Sequence, residues 1–195
     1  MDVAAIERYV IENLGRNLSP ELHYHNLAHT LGVVSAAMRI ANEEGIRDSY
    51  NLDVLKTAAL LHDCGFLNTV SEHEEEGCRI AIALLPEFGY KPEAIDLICK
   101  LIMKTKLPQL PETLLEKILC DADLNHLGRV DFKEVSQRLY DEMEALGKVT
   151  EDTNWNQIQL DFLLEHQFWT ESSMKDRTAL KIEQLKELQQ LVKAS

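Results

Sequence analysis

Residues 58–65 read Ala58-Ala59-Leu60-Leu61-His62-Asp63-Cys64-Gly65, an apolar run that ends on two ionisable side chains and a glycine. With the residues before it, LDVLKTAALLHDCG predicts a buried helix closed by Gly65. A carboxylate buried there without a partner costs several kcal/mol or more, so something has to compensate Asp63. Neighbours on a helix diverge by about 100°. At a helix end, however, the His62 and Asp63 side chains can still converge on one ion.

Two other stretches share this character. His23-Tyr24-His25-Asn26-Leu27-Ala28-His29-Thr30 sets His25 and His29 four residues apart, on one side of a helix or its entry turn. Asn26 is a natural N-cap, which leaves His25 in the preceding loop and His29 in the first turn. Further on, Ile118-Leu119-Cys120-Asp121-Ala122-Asp123-Leu124-Asn125-His126-Leu127-Gly128 again ends an apolar run on carboxylates. Asp121 and Asp123 are two apart and diverge on a helix. One of them is expected at a shared site, the other at a supporting partner or turn. If the three stretches meet, they assemble a mixed imidazole and carboxylate set. Such a set suits a divalent first-row ion of intermediate hardness, with positions left open for water and a phosphate oxygen.

The rest of the chain predicts helices with few interruptions. Ala5, Ile6, Tyr9, Val10 and Ile11 suggest a first helix ending near Gly15, and a second runs over 26–44 before Gly45. Others are expected over 72–85, 92–103, 110–119, 132–146, 154–165 and 171–192, with Pro92 and Pro111 near two of the starts. No run of period-two alternation appears. The fold class expected is all-α: a single-domain helical bundle over 1–195, with a motif-bearing core at 24–128 and C-terminal helices over 130–192 packed on it.

Composition limits the partners. A net charge of −13 repels a nucleic-acid backbone, so no nucleic-acid polymer is expected. It leaves a small phosphorylated substrate open, because a bound cation and a few local basic side chains can invert the field in one cleft. The four cysteines, Cys64, Cys78, Cys99 and Cys120, form no CxxC pair and read as reduced thiols. The N-terminal stretch lacks a signal-peptide pattern, and no apolar run approaches the roughly 20 residues that span a bilayer. A cytoplasmic setting with no membrane association is expected.

His29 in HTLGVV, His62-Asp63 in ALLHDCG and Asp123 in DADLNHLG together resemble the HD superfamily of metal-dependent phosphohydrolases, which is helical and orders its ligands in this way. The resemblance runs from about Tyr24 to Gly128. It implies metal ligands His29, His62, Asp63 and Asp123, and it favours Asp123 over Asp121. The ion would be divalent: Mn, Mg, Fe, Co, Ni or Zn. YHNLAHT is also similar to the signature of cyclic-nucleotide phosphodiesterases, which makes His25 the candidate general acid; Asp63 or Asp123 is expected to orient the attacking water. His73 falls where relatives with a second metal place a histidine. The next histidines of that set are missing, so an outer or surface position is expected for it. Lys104 and Lys106, beside that place, and Arg129 are candidates to hold phosphate oxygens. His166, Phe168 and Trp169 read as lid or packing. The implied activity is hydrolysis of a small phosphate ester, nucleotides or cyclic nucleotides first. The alternative is a regulatory module that binds metal and nucleotide without turnover.

Overall fold

A computed structural model describes residues 1–194. Among them it contains nine α-helices and no strand: α1 (Val3–Asn17), α2 (Leu27–Glu43), α3 (Ser49–Leu61), α4 (His73–Leu84), α5 (Pro92–Met103), α6 (Leu114–Asp123), α7 (Phe132–Ala145), α8 (Trp155–Glu165) and α9 (Glu171–Ala194). The all-α class expected from periodicity is the class observed.

The middle of the bundle is α3. From Val54 to Leu61 every side chain except Lys56 is fully buried, and the helix packs on α1, α2, α5 and α6. Each Leu or Ile removed from water there contributes about 1.5–3 kcal/mol, which is why the segment has no polar face to spare. A second, smaller apolar cluster of Leu127, Phe132, Leu160, Leu163, Phe168 and Leu188 joins α7, α8 and α9. Asp121 links the two regions. Its carboxylate accepts from the Trp169 N–H at 2.9 Å, the Thr170 N–H at 2.8 Å and the Thr170 hydroxyl at 2.7 Å, pinning the α8–α9 connection onto α6.

Two helices have ends that differ clearly from the sequence reading. α1 continues through Gly15 to Asn17. The sixth helix starts at Leu114 rather than at 110, and ends at Asp123 rather than 119. Its start is set by a capping box: the Thr113 hydroxyl accepts from the Glu116 N–H, and the Glu116 carboxylate accepts from the Thr113 N–H. Residues 110–113 are therefore a connection, and the acidic residues lie on the helix's last turn.

The helical hydrogen-bonding pattern also changes at the key pair. α3 ends at Leu61 with His62 as its C-cap, and Asp63 opens a short 3-10 turn over Cys64–Leu67. That change of winding lets adjacent side chains converge. Gly65 sits in the turn, where a Cβ would lie 1.9 Å from the His73 carbonyl oxygen. Only glycine lets the start of α4 approach so closely, and this approach brings His73 beside Asp63. Gly65→Ala is expected to push α4 away and destabilise the fold by about 1–3 kcal/mol, the range for forced overpacking. Thermal melting of the purified variant checks it.

Candidate metal centre

Four side chains from three helix ends meet in one place. Asn26 caps α2, accepting from the Ala28 and His29 N–H groups, and so fixes His29 in the first turn. His62 and Asp63 come from the end of α3, and Asp123 from the last residue of α6. His29, His62 and Asp123 each offer a ligand atom within 4.8 Å of the others. His29 Nε2 lies 3.3 Å from Asp63 Oδ2 and 3.3 Å from Asp123 Oδ1; His62 Nε2 lies 3.1 Å from Asp63 Oδ2.

These contacts leave acceptors unmatched. His62 Nδ1 donates to the Ala59 carbonyl at 2.8 Å, so Nε2 of the neutral ring presents a lone pair. It faces His29 Nε2 at 3.3 Å, and Asp63 Oδ2 is buried beside both without a hydrogen-bond partner. Protonating both rings sets two N–H groups head to head. One divalent cation would instead satisfy both imidazoles and both carboxylates, so the residues fit the metal that the motif implies. Burial opposes charge on His29 and His62. Even so, the facing carboxylates of Asp63 and Asp123 hold both imidazoles above their ordinary pKa, a measure of how strongly the pocket attracts positive charge. Burial likewise opposes ionisation of Asp123, and the two imidazoles overcome it, holding the carboxyl well below its usual range.

The supporting groups were less legible. Asp123 Oδ2 accepts from the Gln109 amide at 3.1 Å, and Gln109 also donates to the Thr105 carbonyl, so this buried amide orients the carboxylate. Gln109 lies in a proline-flanked connection with no sequence signal. His25 Nδ1 makes a short hydrogen bond to Glu142 Oε1, while Glu142 Oε2 accepts from the Tyr24 and His25 N–H groups at 2.8 and 2.9 Å. Glu142 is buried, which opposes its charge, but the hydrogen bond from His25 holds its pKa below its ordinary value. A signal for it did exist. Phe132, Val135, Leu139, Glu142 and Leu146 follow helical spacing, and an acid on that apolar stripe asks for a partner.

His73 is not a surface residue. It is half-buried, stacked on Phe66 with centroids 4.1 Å apart, and its Nε2 is 3.5 Å from Asp63 Oδ1. His25 also stacks on the same phenyl ring, at 4.5 Å. The lysines are elsewhere. Lys104 Nζ donates to the Leu110 carbonyl and to Glu112, and Lys106 pairs with Glu75. Neither lines the cavities at the centre. Both sit among the acids of α4 and of the α5–α6 connection, which the local sequence does not bring to mind.

A cavity of about 400 Å³ opens onto this centre. His25, Asp63, His73 and Asp123 lie at one end; Leu139, Met143, Val149, Trp155, Ile158 and Phe162 wall the other. Lys148 is exposed on its lining. His166 and Trp169 line a different cavity, beside Gln109, and Phe168 packs in the smaller apolar cluster.

Comparison with known proteins shows the family and the fold. The HD domain family model matches residues 26–127, slightly more than half of the sequence, and the chain belongs to that family. Its fold is similar to that of a predicted HD superfamily hydrolase from an uncultured Thermotogales bacterium, with 25% identity and a TM-score of 0.63 over 98% of this chain and 91% of that one. It is also similar to Bacillus subtilis YpgQ in complex with ADP, at 20% identity and TM-score 0.65 over 99% and 97% of the two chains. A Lactobacillus plantarum protein matches at 18% identity and TM-score 0.67, again over 99% and 97%. The last two likenesses concern the fold. No match was found among curated protein sequences.

Proposed function

We propose that the chain is a cytoplasmic, metal-dependent phosphohydrolase that cleaves a small phosphate ester, with nucleotides as the first substrates to test. The observation that carries this reading is the buried Asp63 Oδ2, unpartnered between two imidazole nitrogens. His29, His62, Asp63 and Asp123 would hold the ion. When bound there, a divalent metal lowers the pKa of water and polarises a phosphoryl oxygen.

The chain's own side chains supply the rest. Asp63 stands at the cavity's polar end, where a carboxylate oxygen can orient an attacking water. His25 lines the same cavity and is held on its Nδ1 side by Glu142, which leaves Nε2 to protonate the departing oxygen. The hydrogen bond to Glu142 fixes the orientation of the ring. The apolar far wall excludes water from the leaving group's side. Support for a nucleotide comes from the ADP bound to the structurally similar YpgQ. The four free cysteines fit a reducing compartment, and among the described residues no helix is long and apolar enough to cross a membrane.

A panel of p-nitrophenyl phosphate, bis(p-nitrophenyl) phosphate and nucleoside mono- and diphosphates with Mn²⁺ tests the reading. Metal-dependent release of product from at least one ester is expected. Nucleotide binding with no turnover of any ester would make the protein a regulatory module instead.

A further inference from the structure

The metal ligands face a second space. A polar cleft of about 210 Å³ is lined by His29, Asn125, Arg129 and Arg138, among others, and Tyr24, Asp123 and His126 line both it and the apolar cavity. Those three residues therefore form the partition between two spaces of opposite character, one mostly hydrocarbon and one rich in donors.

Positive charge gathers at this cleft in a chain whose net charge is −13. Of its eight arginines, four are here. Arg129 and Arg138 line the space, and Arg39 and Arg177 stand behind it, their guanidinium groups 3.4 and 3.1 Å from Asn125 Oδ1. With that oxygen accepting from two arginines, the Asn125 amide NH₂ remains to donate. Carboxylates answer only part of this charge. Arg129 is held by Asp131, and Arg39 by Glu43 and Asp176. Arg138 has no carboxylate at ion-pair distance among the described residues. Burial, and then the neighbouring Arg39, lower the pKa of Arg177, so the two guanidinium groups are close enough to repel one another. Asp123 is the acid lining the cleft, and its charge is directed at the two histidines.

We propose that this cleft is a second subsite for a phosphate-class oxyanion, held by the Arg138 and Arg129 guanidinium groups and the Asn125 amide beside the metal ligands. The planar forks of arginine match two oxygens of a phosphoryl group, which a lysine does not. The subsite rests on the phosphohydrolase reading and deepens it. A substrate or product with its reacting phosphorus near His29 and Asp123 has a neighbouring place for negative charge, while its organic part has the apolar cavity. The oxyanion has two possible sources: a second phosphoryl group of the substrate, or the phosphate released.

Binding of pyrophosphate and of inorganic phosphate to the full chain, by calorimetry with and without Mn²⁺, tests this. Arg138→Gln and the pair Arg129→Gln with Arg138→Gln are compared with Arg79→Gln, which removes the same charge from α4. Arg138 is exposed and unpaired, so its single variant should fold normally. Loss of its charge-assisted hydrogen bonds is expected to weaken pyrophosphate binding by roughly 10-fold or more, with Arg79→Gln unchanged. Equal affinity in wild type and the paired variant, or no binding to wild type in either condition, would overturn the subsite. Loss of binding in the variants without any ester hydrolysis by wild type would keep the subsite and remove the hydrolase. Hydrolysis with unaltered anion binding would do the reverse. In an active enzyme, a selective loss of kcat/KM for diphosphates identifies the substrate's second phosphoryl group. A raised inhibition constant for phosphate alone identifies the product.

Discussion

Asp63→Ala is expected to lower phosphate-ester hydrolysis by on the order of 10³-fold while the far-UV circular dichroism stays that of the wild type. The two halves of this expectation have separate causes. Asp63 Oδ2 makes no hydrogen bond within the protein, so its removal takes no structural bond with it. Its backbone role, opening the turn over Cys64–Leu67, needs no carboxylate. The catalytic loss is large because the same oxygen lies 3.1 Å from one candidate ligand nitrogen and 3.3 Å from the other. Its absence removes a metal ligand and the group placed to orient water together. Equal activity of wild type and variant across the ester panel would overturn the assignment.

The second large effect concerns His25 and the residue behind it. His25→Ala should cost about 10²–10⁴-fold in kcat, the usual contribution of a positioned acid, with metal content unchanged. Glu142→Gln is the sharper experiment, because Glu142 does not touch the substrate. A glutamine can still accept from the Tyr24 and His25 N–H groups, so the loop stays attached to α7. The NH₂ that replaces Oε1 cannot accept from His25 Nδ1, so the ring is no longer held for proton donation, and kcat is expected to fall with KM and metal content unchanged. A lower melting temperature with kcat unchanged would show that the pair serves structure alone.

Helix content and order were legible because nearly every segment repeats its apolar residues at helical spacing, and Asn26 stands out as a cap. Thr113 still went unread, because Leu110 and Pro111 continue the apolar pattern and only the Glu116 side chain closes the box. The candidate ligands stood out as ionisable residues ending buried runs, and the resemblance gave their order. What the sequence could not convey was approach in space. Gln109 reaches Asp123, and Glu142 reaches His25 across more than a hundred residues. His73 comes in from the surface only because Gly65 allows it. Lys104 and Lys106 mislead for the same reason: their neighbours in space are Glu75, Glu112 and Glu116 rather than a phosphate.

Metal content decides the central claim most directly. Untagged protein is loaded with Mn²⁺, desalted and analysed for bound metal, wild type against His62→Ala, with circular dichroism to confirm that both are folded. The geometry predicts about one firmly held divalent ion per chain in the wild type and its loss in the variant. Folded wild-type protein that retains no ion after Mn²⁺, Ni²⁺ or Zn²⁺ loading would contradict a metal centre at His29, His62, Asp63 and Asp123. So would wild type and His62→Ala retaining the same amount.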